Sequence, residues 1–145
     1  WAFPADWSVA KWDGKKLGKK VEKLEKIALG AAEQSKRNLV PSITLFEKKA
    51  DFLAQFDQFD RIVVAYEESA KEGESAALIQ AVAGLEKGSK LLFIFGPEGG
   101  LSPAEIESFE EKGAVLAGLG PRILRAETAP LYALSALSVL LELEK

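Results

Sequence analysis

At 145 residues, with 48% hydrophobic and 28% charged side chains and a net charge of −3, the chain has the make-up of one globular domain with room for a core, not of a disordered polymer. It has neither cysteine nor histidine, which excludes disulfides, thiolate nucleophiles, Ser-His-Asp catalysis and the usual zinc sites. Its chemistry must rest on carboxylates, Arg, Lys, Tyr, hydroxyls and backbone, with no metal. No apolar run approaches about 18 residues and no signal-peptide pattern opens the chain, so no membrane span is expected and a cytoplasmic location is.

Trp1 to Trp12 is aromatic-rich, contains Pro4 and lacks a helical period, which reads as an extended lead-in with room for a strand. Beyond it, Leu17, Val21, Leu24, Ala28 and Ala31 recur on one face at helical spacing, while Lys16, Lys19, Lys20, Lys23 and Lys26 fill most of the rest. This predicts an amphipathic helix reaching about Arg37. Lys11 to Arg37 holds nine basic and four acidic residues in a chain that is acidic as a whole. A Lys-rich face is most often simply solvated; the functional alternative is contact with RNA phosphates through Lys16, Lys19 and Lys23.

Pro41 closes that unit. Ile43 to Phe46 reads as a short strand, and Ala50 to Phe56 as a short helix with Phe52, Leu53 and Phe56 turned inward. Arg61 to Tyr66 is apolar and β-branched, hence a strand, and ends in Tyr66, Glu67 and Glu68. Ser75 to Leu85 has helical spacing through Ala77, Leu78, Ala81 and Val82, and Lys87-Gly88-Ser89 leads to the next strand.

Leu91 to Phe95 is an unbroken apolar run, the pattern of a strand buried on both faces in a parallel sheet. It ends in a glycine turn, where Gly96, Gly99 and Gly100 permit positive φ and close approach of a ligand to the backbone. Ser102 then stands as an N-cap, with Pro103 at the first helical position and Glu105 placed to complete a capping box. Val115 to Leu119 repeats the scheme, broken by Gly118 and Gly120, with Pro121 setting the turn before Arg122. Alternating strands and helices predict an α/β fold, a parallel sheet with helices on both faces, with ligands at the carboxyl ends of the strands. The last helix, about Thr128 to Leu143, is apolar almost all round, which calls for cover on most sides, by a partner subunit or, as the alternative, by the core of a monomer with this helix at its centre.

Phe95-Gly-Pro-Glu-Gly-Gly-Leu-Ser102 followed by Gly118-Leu-Gly-Pro-Arg-Ile-Leu-Arg-Ala-Glu-Thr-Ala129 resembles the signature of the RsmE-type 16S ribosomal RNA uridine-N3 methyltransferases, of the SPOUT class. Glu33-Gln-Ser-Lys-Arg37 with Pro41, and Val64-Ala-Tyr-Glu-Glu68, resemble the same family in the same order, so the likeness runs over nearly the whole chain. The resemblance implies a C-terminal trefoil knot, S-adenosylmethionine bound in it, a homodimer through the C-terminal helix, and 16S ribosomal RNA or the small ribosomal subunit as substrate. Pattern reasoning alone would exclude a knot. Against that family, residues 1–145 read as the catalytic domain without the family's N-terminal RNA-binding β-domain and without the domain's first strand and helix. The opening on Trp1 and the lack of methionine are in keeping with that expectation.

The resemblance carries the cofactor role onto Gly96, Pro97, Glu98, Gly99 and Gly100, then Leu119, Gly120, Pro121, Ile123 and Leu124, with Thr128 and Ala129 closing the pocket. Methylating N3 of uracil also requires loss of a proton and stabilisation of charge on the carbonyls. Glu98 and Glu127 can accept a proton, though Glu127 equally suits a helix N-terminus. Arg122 and Arg125 can hold uracil oxygens or a phosphate through paired donors, and the preferred reading is arginine as stabiliser with the base unassigned. Neither loop has the spacing of a P-loop or of Gly-x-Gly-x-x-Gly; a non-catalytic RNA-binding module derived from such an enzyme stays open as the rival.

Overall fold

A computed structural model describes residues 1–67 and 77–143. Glu68 and the Ser75 start of the expected helix lie outside the described residues. By contacts the chain divides into two units, Trp1–Pro4 with Val9–Phe52, and Ala5–Ser8 with Leu53–Lys145.

The first unit is built on α1, Gly14–Gln34, whose N-cap Asp13 accepts a hydrogen bond from the Lys15 amide through Oδ1 at 3.1 Å. The helix stops three residues short of Arg37 because Lys36 turns left-handed, φ 55°. There the Arg37 amide reaches back to the Ala32 carbonyl at 2.9 Å and the Lys36 amide to Glu33 at 3.1 Å, a Schellman ending that satisfies the last carbonyls. Leu17, Val21 and Ala28 are half-buried and Ala32 is buried, whereas Leu24 and Ala31 are exposed. The covered stripe is thus narrower than the apolar pattern, and rotated toward Ala32.

The unit's aromatic residues form a chain of contacts. Phe3 stacks on Phe52 at 4.3 Å, Phe52 meets Phe46 at 5.6 Å, and Phe46 meets Trp1 edge-on at 5.3 Å. Phe52 sits on α2, Lys49–Leu53. The strand expected at Ile43 to Phe46 is a single parallel bridge between Ala2 and Leu45. Pro4, with no amide hydrogen to donate, stands two residues beyond Ala2 and offers the ladder no continuation.

The second unit holds a parallel sheet in the order β2-β1-β3 among the described residues, with β1 Arg61–Ala65 at the centre, β2 Leu91–Ile94 and β3 Val115–Ala117. Val63 pairs with Phe93 on one side and Val115 on the other. Leu91 to Phe95, expected to be buried on both faces, has only Ile94 buried, whereas in β1 Ile62, Val63 and Val64 all are. Both runs are equally apolar; β2 occupies an edge of the described sheet, and composition does not encode that position.

Val63 and Ala117 share a core with α3, Ala77–Val82, and with Leu85 just beyond it. Ile62 and Val64 point the opposite way by the two-residue period of a strand and are buried too, so both sheet faces are covered. Phe109 of α4, Pro103–Glu111, is fully buried with its ring 5.6 Å from that of Phe56 in the 3-10 turn Phe56–Gln58. The last helix, α5, runs from Ala129 to Ser138 and relaxes into a π-helical turn over Val139–Leu143. Its Ala136 and Leu137, with Leu140 and Leu141, pack on the core, while Leu131, Leu134 and Leu143 are 66%, 64% and 74% exposed.

Candidate functional site

The carboxyl ends of all three described strands open into one cleft of about 710 Å³, a volume suited to a small-molecule ligand. Ala65, Tyr66 and Glu67 come from the end of β1, and Phe95, Gly96, Pro97, Glu98 and Gly100 follow β2, with Leu101 and Pro103 beside them. The segment after β3 adds Leu119 to Leu124, Ala126 and Ala129, and Trp7 comes from the separate stretch Ala5–Ser8. A second hollow, about 380 Å³, lies beside Asp60, Arg61 and Gly113 and holds none of the expected residues.

The two loops use glycine differently from the expectation. Gly100 and Gly120 have φ of +82° and +91°, so both occupy the region where a side chain is strained. Gly96 and Gly99 do not have positive φ; their surroundings are instead tight for a side chain. A Cβ on Gly96 would stand 3.2 Å from the backbone of Gly100 and Leu101, and one on Gly99 would stand 3.2 Å from the Trp7 carbonyl oxygen. The Gly100 amide donates to the Pro97 carbonyl at 2.8 Å and closes the first loop into a tight turn. In the second loop, the Thr128 and Ala129 amides both reach the Arg125 carbonyl, at 2.9 and 3.0 Å, which starts α5 at the cleft.

Between cleft and α4, the capping box is present in full. The Glu105 amide donates to Ser102 Oγ at 3.2 Å and Glu105 Oε2 accepts from the Ser102 amide at 2.9 Å. The same two residues also hold the Trp7 stretch. Glu105 Oε1 accepts from the Asp6 amide at 2.8 Å, and the Ser102 hydroxyl donates to Asp6 Oδ2 at 2.5 Å.

Of the residues expected to bind cofactor, Gly96, Pro97, Glu98, Gly100, Leu119, Gly120, Pro121, Ile123, Leu124 and Ala129 line the cleft, and Gly99 and Thr128 do not. Arg122 lines it as well. Arg125 and Glu127 are absent from the lining and face each other at 3.5 Å. Lys16, Lys19 and Lys23 are exposed on α1 in the first unit. Among the described residues no cluster of acidic side chains could hold a metal ion, and no helix is long and apolar enough to cross a membrane.

Residues 1–138 match the family model of the RNA methyltransferase domain. The chain belongs to that family. Ribosomal RNA small subunit methyltransferase E of Bacillus subtilis (strain 168) is 55% identical over 141 residues, covering 97% of this chain and 55% of that protein. The enzyme of the same name from Mycobacterium bovis is 32% identical, covering 96% and 52%. A crystal structure of the Neisseria gonorrhoeae ribosomal RNA small subunit methyltransferase E bound to S-adenosyl methionine has a TM-score of 0.73 at 26% identity, over 96% of this chain and 53% of that one. The chain spans about half the length of the relatives it matches.

Several cleft residues of this RNA methyltransferase domain escaped the sequence-based set: Trp7, Ala65, Tyr66, Glu67, Phe95, Leu101, Pro103 and Ala126. For Tyr66 and Glu67 the signal was present, since they end an apolar strand, and ligands of open α/β sheets bind at the carboxyl ends of strands. Trp7 carried none. It lines the cleft in a stretch where Asp6 is tied to residues nearly a hundred positions away.

Proposed function

We propose that this chain is the cofactor-binding part of an S-adenosylmethionine-dependent enzyme that methylates N3 of a uridine in 16S ribosomal RNA. The observation that carries the reading is the convergence of three parallel strand ends and two glycine loops on one cleft, in a chain whose relatives bear the names given above. The cradle suits the cofactor. Gly96 presents bare backbone where a Cβ would crowd Gly100 and Leu101, and Gly120 does so at a φ that disfavours a side chain, while Leu119, Ile123 and Leu124 give apolar walls for a flat base.

Bound there, S-adenosylmethionine supplies an electrophilic methyl group. The protein must orient the uracil, take its N3 proton and oppose charge growing on the carbonyls. Arg122 lies in the lining and offers paired donors for those oxygens. Glu67 and Glu98 are the carboxylates of the lining, each a site for the departing proton, directly or through water. Arg125 and Glu127 belong to the proposal as residues at the rim, with Arg125 turning inward in the loaded state. Gly99 shapes the first loop and Thr128 the start of α5.

The reading extends to threading of the C-terminal segment as a trefoil knot of SPOUT type, to a homodimer through the exposed side of α5, and to RNA phosphates on Lys16, Lys19 and Lys23. Residues 1–145 act in it as the catalytic domain, in the cytoplasm where the small ribosomal subunit is found. Titration calorimetry with S-adenosylmethionine, against ATP and NAD, tests the core of the reading. Heat with the first alone is expected, followed by methyl incorporation into small-subunit RNA; binding of ATP or NAD instead would refute it, and cofactor binding without turnover would favour a non-catalytic module.

A further inference from the structure

We propose that Trp7 is the platform on which the acceptor base of the RNA stacks, an assignment that rests on the methyltransferase reading above. Trp7 is large, aromatic and 51% exposed, yet it forms part of the cleft wall. An indole left half in water beside a cavity is apolar surface still to be covered.

Its backbone is not free to move away. The Ser8 amide closes a turn onto the Ala5 carbonyl at 3.1 Å, and the Asp6 amide is held by Glu105 Oε1 at 2.8 Å. The Ser102 hydroxyl holds the Asp6 carboxylate, and both Ser102 and Glu105 are buried. Gly99, lacking a Cβ, lets the Trp7 carbonyl come close against the first glycine loop. Two buried polar side chains at the head of α4 therefore fix the stretch of backbone that carries one exposed ring, which reduces what must be ordered when a base is bound.

The planar group that meets this ring is the acceptor base more readily than the cofactor. The glycine turns and the apolar wall of Leu119, Ile123 and Leu124 provide enclosure for a small molecule. Trp7 instead lies open to solvent, the side from which a nucleotide swung out of an RNA strand arrives. An indole face also makes no hydrogen bond to uracil O2 or O4, so it fixes the plane of the base while leaving both oxygens to Arg122. Stacking on an aromatic ring tolerates any base, so Trp7 contributes affinity and placement, and the choice of uracil falls to the polar groups of the cleft.

The chain contains three tryptophans, and Trp1→Phe with Trp12→Phe leaves Trp7 as the sole indole reporter. In that protein, loaded with S-adenosylhomocysteine, a short single-stranded RNA with one central uridine should quench the fluorescence, and the same RNA abasic at that position should not. Trp7→Ala should weaken binding of the uridine RNA roughly ten- to a hundredfold and leave the heat of S-adenosylmethionine binding unchanged, with Trp7→Phe restoring most of the loss. Equal quenching by the abasic RNA, or unaltered RNA affinity in Trp7→Ala, overturns the proposal. Loss of cofactor affinity in Trp7→Ala with RNA affinity intact overturns it too, and moves the ring to the cofactor wall. Absence of S-adenosylmethionine heat in the unaltered chain sinks the underlying reading, and is distinguished from these outcomes by the calorimetry alone.

Discussion

The guanidinium of Arg125 stands 3.5 Å from the carboxylate of Glu127, and the two side chains are 85% and 64% exposed. A pair so open to water contributes about 0–1 kcal/mol, so turning Arg125 into the adjacent cleft costs little. Arg125→Ala should lower kcat roughly a hundredfold or more, the scale on which an oriented charge stabiliser acts, with cofactor affinity little changed. Arg125→Lys should recover only part, because a point charge cannot grip two acceptors. Glu127→Gln, which merely releases the arginine, should keep turnover within a few-fold. Methyl incorporation into small-subunit RNA reads all three, and a Glu127→Gln enzyme as dead as Arg125→Ala would show that the carboxylate acts directly.

Gly120 combines φ of +91° with a site where a Cβ would stand 3.4 Å from Tyr132 Oη. Gly120→Val should therefore destabilise the fold by about 1–3 kcal/mol, the cost of a side chain held in a sparsely populated conformation. The branched side chain at the cleft wall should abolish S-adenosylmethionine binding. Urea unfolding and calorimetry separate the two effects; unchanged affinity in a folded Gly120→Val protein removes the second loop from the site.

Ser102 is at once the N-cap of α4 and the anchor of Asp6. Ser102→Ala should cost about 0.5–2 kcal/mol for the lost cap. Glu105→Gln should cost more, about 1–3 kcal/mol, because one of the two amides that donate to the buried carboxylate, the buried Ser102 amide or the part-buried Asp6 amide, would face an amide NH2 instead of an oxygen. Either change should also shift the emission of Trp7 as its stretch loosens. Equal stability with unshifted emission would mean the tie between the loop and α4 is incidental.

Substitutions on α5 test the proposed dimer separately from folding. Leu131→Lys with Leu134→Lys, both at exposed positions, should give a folded monomer, whereas Leu137→Lys or Leu141→Lys should unfold the second unit, since both pack on the core. Sedimentation at micromolar concentration, alongside circular dichroism, distinguishes the outcomes. A monomeric unaltered chain would remove the dimer from the proposal.

Charge reversal on α1 tests the role of its lysines in RNA binding. Lys16→Glu, Lys19→Glu and Lys23→Glu together should weaken RNA binding for all sequences alike and reduce its salt slope by about 0.7–0.9 for each phosphate no longer neutralised, with cofactor affinity unaltered. A binding constant and slope that do not move would leave the helix as a solvated surface.

The local features were legible in the sequence because they depend on neighbours within a few residues. The capping box of Ser102, Pro103 and Glu105, the run that becomes β1, and the glycine turns at Gly100 and Gly120 all depend on residue type and spacing, and each was met. Local chemistry also located most of the cleft, since a strand followed by a glycine turn places its loop at the sheet's carboxyl end. Tertiary structure decided the rest. Leu91 to Phe95 and Ile62 to Val64 are equally apolar, but only pairing order makes β1 the centre and β2 an edge of the described sheet. The apolar circumference of α5 called for burial on most sides, and packing on the core divides it into Leu137 and Leu141 within and Leu131 and Leu134 without. Arg125 and Glu127 lie within a few residues of lining positions, yet their direction depends on how the loop closes before α5. Trp7 is the extreme case: it lines the cleft in a stretch held by hydrogen bonds between Asp6 and the Ser102–Glu105 cap, partners nearly a hundred residues apart whose meeting no local periodicity records.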